Sequence, residues 1–533
     1  MTEILESSGS PRFCRGLGRF VPRMMTDRGG LLLCFTVGFV VRLIPELLAF
    51  SSPIGFDTVY YALVLKNGVV WGSWTSVFTS SWLLCGFLVP AYQVTGGDPF
   101  AILKFAAPIL FGLNVAGIYW FARKMLGWNG SLSLLAGGFF ALQLASLRIS
   151  WDLLRNTLGM GVLLFALPLI KEVDSKRGFV AFVFLSMLTV FAHEYAAVTL
   201  FVVVLGTLFL HVVRKRFEPV MKRLTAAVVP ALTVFVTGIF LRLFPPLAGT
   251  ALGFIDAGDC SSGSAGGVFF LVNYLQVKSA IDSYMTYGNL VFAVLVLFVV
   301  LYASYLVFVV KGFFRNSTLD LWTGLLLVGA FGCLAMPFLA LEYWHRWMFM
   351  LAYPFTFYAI AGLRKSKVVV DESLAKRWRW TRNLGNRLMV LATVILATAY
   401  LVTPVLMMNF NLSVPSVTST AAYFSTSPTV PYEDVGSLAA VFSWLDGNMG
   451  GDSCVLLQHA FLSWGRIYLD KSRVVVHFEV DAGKAEAVAL ENGFGKMFFI
   501  WWNVDIGWYG VSVPAGFVPV HSVGRLSVFE RVG

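Results

Sequence analysis

Charge is scarce in this chain. Only 13% of its 533 residues are Asp, Glu, Lys or Arg, while 58% are hydrophobic, and the mean hydropathy is +0.76. A soluble domain carries about 25% charged residues, so this composition excludes a water-soluble globule and requires lipid around the chain. Cysteine is scarce as well. The six cysteines, Cys14, Cys34, Cys85, Cys260, Cys333 and Cys454, form no C-x-x-C pair, which argues against a cysteine-based zinc site. A G-K-[ST] phosphate loop is missing, and the Gly/Ser stretch 261–267 reads as flexible loop. No basic groove, zinc-finger spacing or RNP-like run accompanies the net charge of +11, so that charge does not point to nucleic acid.

What the chain has in abundance is long apolar runs. Crossing a bilayer takes roughly 20 apolar residues, and eleven segments qualify as expected spans: 31–50, 100–122, 130–148, 156–171, 178–192, 195–213, 224–243, 287–310, 319–340, 346–363 and 388–407. A twelfth run, 77–92, is short, carries a Pro near its end and precedes the breaker "GGDP"; it reads as a membrane-surface or re-entrant segment. With eleven spans, segments 1–30, 123–129, 171–177, 214–223, 311–318 and 364–387 share one side and hold 25 of the 40 Lys and Arg residues. By the positive-inside rule that side is cytosolic. Were 77–92 to cross, the "RKRFEPVMKR" and "RWRWTRN" blocks would face away from the basic N-terminus.

The expected organisation is therefore a mainly α, polytopic membrane protein with about 11 transmembrane helices. A basic cytosolic tail (1–30) precedes a membrane domain (31–408) with a long first outer loop (51–99). A small extracytosolic α/β domain (409–533) follows. In that last part, "SCVLLQHA", "SRVVVHFEV" and "KMFFIWWN" read as strands, separated by helical stretches at 434–446, 459–469 and 483–492. Two further strand-like runs meet at a Gly-Arg turn near the end.

This topology sends a distinct set of polar residues outward. Ionisable groups at membrane ends are costly to place, which makes them functional candidates by default. Asp57, in "IGFDTVYYA", is either the N-cap of a helix starting at Thr58 or a general base with Tyr60 and Tyr61 on its face. In "RISWDLLRN", continuous helical spacing would align Arg148, Asp152, Arg155 and Asn156. That stripe is either a local salt-bridge anchor or an anion or metal site, with Asp152 ionised between two guanidiniums. His193 and Glu194 could offer metal ligands, although the second His of H-E-x-x-H is missing. Arg346, beside His345, could meet a phosphate at the lipid boundary or simply snorkel to the interface. Arg42 and Glu46, spaced i,i+4 in the first span, are expected to pair.

Several of these stretches resemble the GT-C glycosyltransferases, the family that includes protein O-mannosyltransferases and the catalytic subunit of oligosaccharyltransferase. "GFDTVYYA" is similar to the family's Gly-x-Asp-x-x-x-Tyr stretch of the first outer loop. "LLAGGFFALQLASLRISWDLLRN" resembles its third span running into a second acidic loop. "HRWMFMLAYPFTFYAIAGL" is similar to a late span opened by an Arg and interrupted by a Pro, and "VHSVGRLSVFERV" to the closing hairpin of archaeal members. The W-W-D-Y-G signature of oligosaccharyltransferase is absent, since "WWNVDIG" has an Asn and two extra residues. That departure favours transfer of a single sugar.

The resemblance implies inverting transfer of a sugar, hexosyl or mannosyl, from a polyprenyl (dolichyl) phosphate donor to a protein, glycan or lipid-linked acceptor on the outer face of the cell membrane. It makes Asp57 the catalytic base and places the donor phosphate among Arg346, His345, Arg148 and Arg155. Asp152, Glu194 and His193 are left to hold a metal or the acceptor, with room for a divalent cation such as Mg²⁺ or Mn²⁺. No cytosolic loop is long enough for a nucleotide-sugar domain, so a sugar used outside would arrive on a lipid. The rival reading is a lipid-linked glycan flippase or transporter, which would call for internal repeats or paired broken helices that the sequence does not show.

Overall fold

The computed structural model describes residues 27–49, 52–68, 76–79, 81–214, 219–243, 254–257, 271–275, 286–365, 375–409, 427–504 and 511–532. The Gly/Ser stretch 261–267 and Asp505–Tyr509 of the "WWNVDIG" region lie outside them.

The chain opens with a long helix, α1 (Asp27–Leu48), followed by the short helices of the first loop, α2 (Thr58–Asn67), α3 (Ser76–Thr79) and α4 (Leu83–Thr95). Then come α5 (Pro99–Lys124), α6 (Gly130–Ala141), α7 (Leu144–Asp152), α8 (Leu154–Ala166), α9 (Lys176–Ala192), α10 (Glu194–Val213) and α11 (Pro219–Leu243). Two short strands, β1 (Phe254–Asp256) and β2 (Leu271–Val272), interrupt the helices. The membrane part closes with α12 (Tyr287–Tyr302), α13 (Leu306–Gly312), α14 (Ser317–Ala335), β3 (Ala340–Leu341), α15 (Trp344–Met350), α16 (Ala352–Lys365) and α17 (Ala375–Asn409).

Among the described residues, seven helices are long and apolar enough to cross a bilayer, or nine if the bent pairs α6–α7 (61°) and α12–α13 (80°) each count as one span. This is fewer than the eleven expected, for a physical reason. The run 178–192 falls on the 17-residue α9, about 25 Å long and short of the roughly 30 Å hydrocarbon. The run 346–363 is divided between α15 and α16 at Leu351. The expectation that 77–92 does not cross agrees with α4, a 13-residue apolar helix too short to span.

The span 154–171, which begins with α8, and α5 are the most enclosed, with 83% and 72% of their most apolar windows buried, whereas α1 lies at the edge with 28%. α5 and α1 pack closely because Gly112 lets α5 approach α1: a Cβ there would stand 2.8 Å from the Phe35 carbonyl oxygen. Large apolar side chains such as Leu32, Phe105, Phe184, Phe292 and Val328 point outward, as a lipid-facing surface requires.

The C-terminal part is α/β, as expected. It comprises α18 (Tyr432–Asn448), β4 (Ser453–Gln458), α19 (His459–Tyr468), β5 (Val474–Phe478), α20 (Ala482–Glu491), β6 (Lys496–Trp502), β7 (Phe517–Val523) and β8 (Leu526–Arg531). The sheet order is β1-β5-β4-β6-β8-β7, parallel from β1 to β6 and antiparallel across the closing hairpin. β4 is buried along its whole length, the usual state of a parallel strand covered on both faces. Two features go beyond the expected boundary at residue 409. The edge strand β1 comes from the long loop between α11 and α12. Tyr61, Leu65, Leu83 and Leu84 of loop one also share one apolar cluster with Phe442, Phe461 and Trp464. Loop one is therefore the floor on which the α/β domain rests. The Trp501–Trp502 doublet is packing, with Trp502 Nε1 donating to Asp434 Oδ2 at 2.8 Å.

Candidate active site

The chain entering loop one is held by a buried ionic cluster. Arg42 pairs with Glu46 at 2.7 Å, as the i,i+4 spacing predicts. Lys104 joins Glu46 at 3.2 Å and also donates to the carbonyls of Ala49 (2.9 Å) and Ser52 (2.8 Å). Arg42 reaches further, donating to the Ser150 carbonyl (3.1 Å) and lying over the Trp151 ring. One cluster thus fixes both the start of loop one and the end of α7.

Between these anchors the two acidic loops touch. Gly55 has φ +90°, and a Cβ there would meet Asp152 Cβ at 2.5 Å. Only glycine meets both demands at once. The next backbone N–H, on Phe56, donates to Asp152 Oδ2 at 3.1 Å, while Asp152 Oδ1 pairs with Arg148 at 2.5 Å. Both oxygens of Asp152 are engaged, and the residue is only 2% exposed.

Asp57 has a different environment. It occupies the N-cap position of α2, yet its side chain makes no capping hydrogen bond. Its φ/ψ of −74°/−7° is helical, whereas a capping residue adopts extended geometry. The carboxylate turns instead into a cavity of about 230 Å³, where Oδ2 lies 3.7 Å from Arg346 Nη2. A third of the Asp57 side chain faces this space, with protein packed densely around the rest. Burial raises its pKa above the ordinary carboxylate range, opposed by Arg346 and reinforced by Asp152, with Arg148 and Arg155 also lowering it. Burial likewise raises the Tyr61 phenol, with Asp57 adding to the effect.

Arg155 and Asn156 of α8, Tyr60 and Tyr61 of α2, Ser81, Leu153, and the His193–Glu194 pair complete the lining. The continuous stripe expected in "RISWDLLRN" is broken. Leu153 (φ −83°, ψ 53°) ends α7 and starts α8. Arg148 and Asp152 therefore turn to each other beneath loop one, while Arg155 and Asn156 face the cavity. Asp152 is flanked by one bonded guanidinium, since Arg155 Nη2 donates to the Tyr60 hydroxyl at 3.1 Å. Arg155 also lies over the Tyr60 and Tyr61 rings.

Three polar groups at the cavity are left unsatisfied. Arg346 Nε, Arg155 Nε and both side-chain atoms of Asn156 are buried without hydrogen-bond partners. Such groups cost free energy unless a ligand or water completes them. Arg346 follows Tyr343, the single described non-glycine residue at positive φ (53°), whose ring lies 4.3 Å from the guanidinium carbon. Backbone strain of this kind tends to persist at functional sites. His345 packs against Phe349 and does not line the cavity, and neither do Arg148 and Asp152.

His193 caps α10, its Nδ1 accepting from the Tyr195 N–H at 3.1 Å. Glu194 accepts from Ser81 Oγ at 3.4 Å. The fit to a divalent cation is poor: among the described residues, no three His, Cys, Asp or Glu donors converge at this cavity at metal-ligand spacing. Its concentrated positive charge comes from Arg346 and Arg155. Ser81 and Leu153 are lining residues that the sequence did not point to, while Tyr60, Tyr61 and Asn156 were noted beside candidates without a role of their own. Asn156 stood on the stripe, but nothing in the sequence marked it as unpartnered.

No family model and no curated protein matches the chain. Among solved structures it is similar to ArnT from Cupriavidus metallidurans bound to undecaprenyl phosphate, at 14% identity and TM-score 0.47, over 95% of this chain and 98% of that one. It is also similar to the archaeal oligosaccharyltransferase AglB from Archaeoglobus fulgidus, in complex with an inhibitory peptide and a dolichol-phosphate. That match has 12% identity and TM-score 0.47, over 88% of this chain and 69% of that one. Likeness at this level is one of outline.

Proposed function

We propose that the protein is an inverting glycosyltransferase that moves a sugar from a polyprenyl phosphate to a hydroxyl acceptor at the cavity beneath the α/β domain. The observation that carries this reading is the pairing of Asp57 with Arg346: a carboxylate freed from capping faces a guanidinium that still has an unpartnered donor. Asp57 takes the proton of the acceptor hydroxyl as that oxygen attacks the sugar's anomeric carbon. The bond from that carbon to the phosphate oxygen breaks with inversion, and the phosphate leaves with the electron pair. Arg346 stabilises the charge developing there, and its fork can bind two phosphate oxygens. Arg155 and Asn156, which line the same cavity, orient the sugar or the phosphate. Asp152 positions Asp57 through the Phe56 N–H, one residue away.

In this reading the N-terminus is cytosolic and the α/β domain lies outside. Cysteine labelling of intact cells should then reach position 411 and not position 316. The decisive experiment incubates the purified protein with radiolabelled polyprenyl-phosphate sugars and candidate acceptors. Transfer to a hydroxyl acceptor supports the reading. Movement of intact lipid-linked sugar between leaflets of a proteoliposome, without transfer, would replace it with a flippase.

A further inference from the structure

A second cluster of chemistry-bearing side chains lies outside the cavity, at the carboxyl ends of two adjacent parallel strands. β4 and β5 are in register up to Gln458 opposite Phe478. His459 follows β4 directly, His477 is the penultimate residue of β5, and Glu479 comes just after β5. One donor atom from each lies within 4.8 Å of the other two. Modest side-chain rotation would bring three such donors to about 2.0–2.2 Å from a common centre. In open α/β sheets the carboxyl edge is where ligands gather.

We infer that His459, His477 and Glu479 form a transition-metal site, of the zinc type, that fixes the strand-end edge of the α/β domain where it meets loop one. Two imidazole nitrogens and one carboxylate suit Zn²⁺; Mg²⁺ and Ca²⁺ prefer sites made of oxygen alone. Four observations support the assignment. His459 Nδ1 is buried without a hydrogen-bond partner, a cost that a metal bond removes. Asp256 Oδ1 lies 3.4 Å from His477 Nδ1, the usual place for a carboxylate that orients a metal-binding imidazole. It is put there by β1, whose Asp256 is in register with His477. Gln458 Nε2 donates to the Glu479 carbonyl at 2.9 Å and so ties the two strand ends together.

The position of the cluster gives the metal its role. The His459 ring stacks on Phe56 at 6.1 Å and 15°, one residue before Asp57. An ion here would tie the ends of β4 and β5 together, with Asp256 of β1 behind His477, against the loop that carries the carboxylate. This assignment does not depend on the glycosyltransferase reading.

The test uses full-length protein in detergent, stripped with a chelator and then titrated with zinc alone. One zinc per chain should survive gel filtration and raise the melting temperature. His459→Gln and His477→Gln should each weaken zinc binding by at least about 100-fold, and Asp256→Asn by about 10–100-fold, the usual effect of losing a partner behind a ligand. Cobalt in place of zinc should give visible absorption bands that change in His459→Gln. If His477→Gln does not yield monodisperse protein, His459→Gln and Glu479→Gln decide the matter. The assignment fails if wild type retains no zinc, or if those two variants retain it fully. It also fails if zinc is lost in Glu194→Gln instead, which would place the ion at the cavity.

Discussion

Loop one and the end of α7 each contribute one aspartate, and the two aspartates are in opposite condition. Asp152 is 2% exposed, bonded to Arg148 at 2.5 Å and to a backbone N–H at 3.1 Å. Asp57 leaves its cap unmade, faces a cavity and stands 3.7 Å from its cation. A buried carboxylate with both oxygens bonded holds structure together. One with capacity to spare, held in a desolvating pocket, is available to accept a proton. Their contact through Gly55 and Phe56 means that the first kind supports the second.

The sharpest way to break this comparison is to neutralise each aspartate in turn. Asp57→Asn should cut sugar transfer by about 10²–10⁴-fold, the usual worth of a general base. Its melting temperature should stay level or rise. The sign follows from the raised pKa: such a group contributes stability below the ordinary carboxylate range and loses it as pH climbs through the raised value, so the ionised form is a burden at neutral pH. Asp152→Asn should do the reverse, costing about 3–5 kcal/mol of stability by removing the buried charge that pairs with Arg148, while correctly folded molecules keep much of their activity. Thermal melts and initial rates on the same samples check both. Full activity in Asp57→Asn would end the base assignment.

Arg346 sharpens the picture from the other side. Arg346→Ala should weaken donor use by roughly 10–150-fold, the equivalent of about 1.5–3 kcal/mol for a charge-assisted contact. Lys should recover only part of this, because a point charge lacks the fork. An unchanged donor KM would reduce Arg346 to an interfacial anchor. The pH profile tests the same pair more gently. The acid limb of kcat/KM should lie above the ordinary carboxylate range, since Asp57 must be ionised to act. Residual activity in Arg346→Ala should show that limb moved further up, because Arg346 opposes the upward shift. The smallest effect is expected of Tyr60→Phe. It removes one exposed hydrogen bond to Arg155 but keeps the ring beneath the guanidinium, so transfer should change by no more than about threefold.

Much of the architecture was legible from composition and periodicity. A chain this poor in charge has to be lipid-embedded, and the strand-helix alternation after residue 430 follows from local apolar patterning that short-range geometry obeys. The Arg42–Glu46 pair was readable because helical spacing alone brings the two together. Span number was less so, because hydropathy does not register where a helix stops or bends: Leu351 is an ordinary apolar residue that happens to end a helix.

The site divides along the same line. By itself the sequence marked a set of ionisable residues at the ends of apolar runs as candidates, including Asp57, Arg155, His193, Glu194 and Arg346, since burying them in lipid costs too much. Tertiary structure decided which of them share a cavity. The break at Leu153 sent Arg148 and Asp152 beneath loop one, and Arg155 and Asn156 to the cavity lining. The pairing of β1 with β5 brought Asp256 beside His477, 221 positions away in the chain. Whether a carboxylate is spent on a cap, a salt bridge or nothing at all depends on partners far along the chain, and only the folded molecule supplies them.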